Sequence, residues 1–216
     1  PNFAPAHNLA GLIYLDEITR RVTQTPDQVI EKAKQCASTA EELDPDSPPY
    51  LLWSHIYRLQ KDFDNAIMYG DWAVKQRPNN PYYYFFLGMA QFYGERFQEN
   101  KETTEIGLQL APFRPVNFVN QLGWAYVGLE EYDKAVPLFN EVIERSPKSF
   151  FAYLSYKGLI ASYELNDQHN KAVEAASNLM QNFPKYSLER DRKTTDVKEG
   201  VWKDKIFAAY QNAGLK

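Results

Sequence analysis

The stretch VNFVNQLGWAYVGLEEYDKAVPLFNEVIERSPKS, residues 116–149, decides how the rest of the chain is read. It carries Leu122-Gly123, then Tyr126, Tyr132, Ala135, Phe139 and Pro147. Apolar residues fall at helical spacing on both sides of a polar break at Glu130-Glu131, which predicts a helix–turn–helix of 34 residues. Small residues, Gly123 in the first helix and Ala135 in the second, let the two helices approach closely, and their large neighbours fill the space left over.

The same pattern recurs on either side. One period upstream stand Leu87-Gly88, Phe97, Asn100, Gly107 and Pro112; one further, Trp53-Ser54, Tyr57, Phe63, Ala66, Ala73 and Pro78. Downstream stand Tyr163, Ala172, Ala176, Leu179 and Pro184. Turn prolines at 45, 78, 112, 147 and 184 are separated by 33, 34, 35 and 37 residues, a regularity that marks a repeat architecture. The first unit is less regular. Gly11 and Tyr14 suit its first helix and Ala33, Ala37 and Ala40 its second, with about ten extra residues between them around Arg20 to Gln28. Asn100 in place of Ala and Ile160 in place of Gly predict adjusted packing in their units. Pro1-Asn2 aligns with Pro78-Asn79, the turn that ends a unit, so the array is expected to continue upstream.

This spacing of Leu-Gly, Tyr, Ala, Phe and Pro resembles the tetratricopeptide repeat. The fold expected is all-α, with helical pairs stacked in a right-handed superhelix because no pair buries its apolar stripe alone. We expect the array over 1–184, in units at about 4–46, 47–80, 81–115, 116–149 and 153–186. Residues 185–216 are read as a polar linker and a C-terminal capping helix over Val201 to Ala213, carrying Trp202, Ile206, Phe207 and Tyr210 and stopped by Gly214.

Composition narrows the function. With 44% hydrophobic and 24% charged residues the chain is that of a folded domain, and a net charge of −4 gives no basic footprint for nucleic acid. The single cysteine, Cys36, forms no internal disulfide, which fits a cytoplasmic location, although a periplasmic protein without bridges reads the same way. No apolar run is long enough to span a membrane.

Reactive groups do not converge, so no enzyme activity, metal site or cofactor is expected in this region. His7, His55 and His169 fall in three different units without ligand spacing, and Cys36 lies among alanines as a buried thiol would. The glycines of 88–94 lack the Lys-Ser/Thr of a phosphate loop. Glu41-Glu42 and Glu130-Glu131 read as solvated charge at helix ends or turns. The lysines and arginines of 185–205 alternate with acids and read as a solvated face.

The resemblance implies that first helices line a concave groove. Its candidate contact residues are Asn8, His55, Arg58, Tyr82, Phe85, Met89, Phe92, Tyr93, Asn117, Asn120 and Trp124, with Leu12, Leu51, Lys157 and Glu164 at further inner positions. The aromatic centre suits apolar side chains of a partner segment, and Asn8, Asn117 and Asn120 suit hydrogen bonds to its backbone. The alternative for Tyr82, Phe85 and Met89 is packing against neighbouring helices or an internal terminal segment, since consecutive helix residues point all round the axis. A clamp for a terminal carboxylate is not expected, because inner Lys/Arg and Asn do not recur on successive helices. A protein or peptide segment is therefore the expected partner, with homo-oligomerisation through the aromatic surface as an alternative use.

More specific wording also recurs. PNFAPAHNLAGLIYLDE at 1–17, the lengthened loop with Thr25-Pro26, LAPFRP at 110–115, FPKYSLE at 183–189 and the ending YQNAGLK at 210–216 resemble the C-terminal repeat domain of bacterial class III adenylate/guanylate cyclases. That resemblance implies a regulatory or assembly region of a larger signalling polypeptide; the same module also occurs without a cyclase, as an adaptor.

Overall fold

Each predicted turn needs a residue that ends one helix and aims the next. In the computed structural model Lys61, Glu95, Glu130 and Asp167 fill that role at φ between 55° and 62°. They recur 34, 35 and 37 residues apart, so the period of the prolines is repeated in the backbone. Each closes its helix by a Schellman pattern: the N–H groups of Asp62, Arg96, Glu131 and Gln168 donate to the carbonyls of Tyr57, Gln91, Tyr126 and Tyr163.

The structure describes residues 2–19, 25–195 and 197–216. Arg20–Gln24 of the lengthened first connection, and Pro1 of the Pro1-Asn2 alignment, lie outside the described residues. The helices run α1 Ala4–Thr19, α2 Pro26–Leu43, α3 Tyr50–Leu59, α4 Phe63–Gln76, α5 Pro81–Tyr93, α6 Phe97–Leu110, α7 Val116–Gly128, α8 Tyr132–Arg145, α9 Phe150–Leu165, α10 His169–Asn182, α11 Leu188–Thr194 and α12 Val201–Asn212. The described residues contain no strand. Side-chain caps support several starts: Asp62 accepts from the Asn65 N–H, Ser149 from Ala152 and Ser187 from Arg190.

Two compact units follow, residues 1–90 and 91–216. In the first, Leu15, Ala33, Ala37, Leu52 and Ile56 form the core shared by α1, α2 and α3. In the second, Phe139 of α8 wedges between α7 and α9. A Cβ on Gly123 would lie 2.7 Å from its ring, and one on Gly158 would lie 2.2 Å from it. Phe139 is fully buried because those two helices carry no side chain where it inserts. The departures at Asn100 and Ile160 are absorbed without exposure, both being wholly buried. Beside Asn100, α6 and α7 share polar contacts, the Gln121 amide donating to the Thr104 hydroxyl at 2.9 Å.

The closing helix α12 buries Ile206, Phe207, Ala209 and Tyr210 in the second unit's core. It packs on α9, and its Trp202 reaches further, to 6.4 Å from the Trp124 ring of α7 and 5.5 Å from Phe92. No described helix is long and apolar enough to cross a membrane.

Candidate functional site

In the first unit, Leu51, His55 and Arg58 share one face of α3 at i, i+4 and i+7 spacing, and all three are buried. The His55 ring lies 5.0 Å from Phe86, which meets Phe85 edge-on at 5.5 Å. Tyr82, Phe85 and Met89 also share one helical face, of α5. Tyr82 is 53% exposed, while Phe85 and Met89 are half-buried. The result is a buried floor on α3 and an accessible aromatic face on α5. Asn8 on α1 is half-buried, and its Oδ1 is enclosed without a hydrogen-bond partner among the described residues.

His55 stands at an inner-helix position, where the sequence allows either a groove contact or a satisfied or exposed surface histidine; the ring is buried, 9% exposed. Both ring nitrogens are enclosed and make no hydrogen bond among the described residues. Burial, and secondarily the Arg58 charge, hold its pKa well below the ordinary value of 6.5. In the unfolded chain the same ring takes up a proton near pH 6.5, so unfolding gains favour as pH falls through that value. The stability contributed by neutral His55 is complete above about pH 6.5 and declines by up to about 1.4 kcal/mol per pH unit below it. Urea unfolding of the wild type between pH 7 and 5 should show this slope, and His55→Phe should remove that part of it. Equal slopes in the two proteins would sink the assignment.

In the second unit, Phe92, Phe97, Trp124 and Trp202 form a cluster of four rings, at separations of 5.0–6.4 Å. Trp124 is 9% exposed, and Tyr93 is half-buried against Phe92. Asn120 is also buried, its amide donating to Ser155 Oγ at 2.8 Å and to the Phe151 carbonyl at 3.4 Å, so its donors serve α9. Asn117 is half-buried. Lys157 forms a 2.6 Å ion pair with Asp191, itself 2% exposed, and lies over the rings of Tyr153 and Tyr210. Glu164 pairs with His169 at 2.9 Å. The candidate residues therefore divide. Those on α5 up to Met89 remain accessible, whereas Phe92 and Trp124 are covered by the chain's own Trp202.

Cys36 is half-buried where a buried thiol was expected, and desolvation pushes its pKa up. Four basic residues of the C-terminal stretch pair with acids: Arg192 with Asp204, Lys193 with Glu189, Lys203 with Glu199 and Lys205 with Glu130. Glu131 pairs with Lys134, which holds its carboxyl below the usual range, and Glu41 accepts from Trp53 Nε1 at 3.2 Å. The described residues hold no cluster of His, Cys, Asp and Glu fit for a metal. One concentration of rings was not singled out in the sequence. Tyr50, Trp53 and Tyr57 of α3 pack with Tyr69 and Trp72 of α4, leaving Trp72 38% exposed. Its signal was the spacing 50, 53, 57, a second face of α3 distinct from that of His55.

A family model described as tetratricopeptide repeat matches residues 116–149. The interferon-induced protein with tetratricopeptide repeats 2 of Cricetulus griseus is 28% identical over 129 residues, 57% of this chain. The chain spans 27% of that relative's length. Among solved structures, PilW, a type IV pilus biogenesis factor, matches with a TM-score of 0.71 at 16% identity, over 96% of this chain and 89% of its own. YrrB, described as a tetratricopeptide-repeat protein with an unusual peptide-binding site, gives 0.59 at 17% identity, over 80% and 86%. A chain of the APC/C hetero-tetramer Cut9–Hcn1 gives 0.69 at 16% identity, over 97% of this chain and 40% of that one. The fold is that of the tetratricopeptide repeat.

Proposed function

We propose that this chain is a non-catalytic protein-interaction scaffold that grips an apolar or aromatic side chain of a partner segment on Tyr82, Phe85 and Met89. The observation that carries the reading is the accessible aromatic face of α5, set on a floor already filled by Phe86 and His55. Side chains partly held on a preorganised helix lose little freedom on binding, and each anchor buried there contributes about 1.5–3 kcal/mol. The peptide-binding site named for YrrB supports the same use of this fold.

A phage-displayed peptide library panned against the full chain tests it. The selected peptides should carry Trp, Phe or Leu anchors. Tyr82→Ala with Phe85→Ala should lower their affinity at least tenfold while leaving helicity unchanged; undiminished binding would remove this face from consideration.

The sequence resemblance to the cyclase repeat domain supports a finer reading, a regulatory or assembly region of a cyclase-like signalling protein. The alternative is an adaptor that joins separate partners. The coding sequence upstream of Pro1 discriminates them: a cyclase catalytic domain there favours the first, and a start codon or further repeats alone favour the second.

A further inference from the structure

In the second unit a first-helix face is covered by a helix of the chain itself. Helix α12 lies outside the repeat and packs on the first helix α9, with Trp202 set against Phe92, Phe97 and Trp124 and Tyr210 against Lys157. We propose that this face of α7 and α9 is a helix-binding groove held closed by α12, and that it accepts from a partner an amphipathic helix presenting a Trp, an apolar pair and a Tyr in α12's own spacing.

Three observations favour exchange over a fixed core element at the Trp202 end. First, the ion pairs that tie that half of α12 to other helices and turns, Lys205–Glu130 and Arg192–Asp204, are exposed, and such pairs hold weakly and yield to salt. Second, the polar connection ahead of α12 ends at Gly200, which has no side chain to cap the helix start. Third, the seat is imperfect. The Glu95 carboxylate lies 3.9 Å from where a Cβ of Gly200 would stand, beside the N-terminus of α12, yet its Oε1 is enclosed and makes no hydrogen bond among the described residues. A first turn that donates to Glu95 would fit this groove better than α12 does. The far end is held more firmly, by the buried Lys157–Asp191 pair and by the Leu188 N–H donating to the Lys216 carbonyl at 2.8 Å. Opening therefore begins at Trp202.

The test uses the full chain and a fluorescein-labelled peptide of residues 199–212. Trp202→Ala with Lys205→Glu in the chain loosens the internal helix, and fluorescence anisotropy reads the peptide. The loosened chain should bind it at least tenfold more tightly than wild type, and a peptide carrying Trp202→Ala should bind neither. Equal, weak binding to both chains would overturn the proposal. Hydrogen exchange on the unmodified chain decides the matter even if the loosened variant folds poorly. Amides of Asp204–Ile206 should exchange through a local opening that leaves Leu159–Ala161 protected; exchange of both in one common step would make α12 part of the fixed core and sink the idea. Tyr82→Ala with Phe85→Ala should leave this binding unchanged, so failure here and failure of the α5 face are separable.

Discussion

Phe139→Ala is expected to destabilise the second unit by about 3–5 kcal/mol, because a fully buried ring is removed and the cavity left behind cannot collapse. The walls are the backbones of α7 and α9 at Gly123 and Gly158, which approach no closer without moving whole helices. A shift of the urea midpoint with unchanged slope measures the loss. The reciprocal change, Gly158→Ala, places a methyl 2.2 Å from the ring. Overpacking of this kind costs about 1–3 kcal/mol, and the gain in helix propensity of about 1 kcal/mol only partly offsets it. In the Phe139→Ala background the clash is gone, and Gly158→Ala should become stabilising. That reversal of sign is the signature of direct contact; additive effects would contradict the wedge.

The second large effect is expected from Asp191→Ala. It leaves the Lys157 ammonium buried beside two tyrosine rings with its carboxylate removed, a change that costs about 3–5 kcal/mol. Asp191→Asn retains an acceptor for the Tyr153 hydroxyl, 3.4 Å away in the native protein, and should cost less. Lys157→Met combined with Asp191→Leu removes both charges together and should cost less than Asp191→Ala alone. A double variant as unstable as the sum of its singles would show that the pair does not act as a unit.

The sequence made the repeat legible because its signals are local. Leu122-Gly123, Ala135, Phe139 and Pro147 each occupy a position fixed by close approach or by a turn, and the structure places helices and αL turns at the same period. The candidate face was legible only in part. Inner positions follow from helical spacing, but burial depends on what arrives from elsewhere in the chain. Arg58 and His55 look like contact residues by spacing and lie buried. Asp191 stands in the charged run ERDRK and reads as solvated, yet the return of α12 encloses it against Lys157 and Tyr210. Trp202 belonged to an evident amphipathic helix, but helical periodicity says which residues share a face and not which surface that face meets. The aromatics of 82–86 were legible as a group; that Tyr82 stands out while Phe86 turns to His55 is a matter of tertiary packing.

The central claim is that the α5 face receives the partner, and photo-crosslinking tests it most directly. Benzoylphenylalanine is introduced at position 82 or, on the separate aromatic cluster, at position 72 of the full chain, and each protein is irradiated with a library-selected peptide. An adduct from position 82 and none from position 72 is the predicted result. An adduct from position 72 without one from position 82 would move the binding site to the other aromatic face and contradict the account.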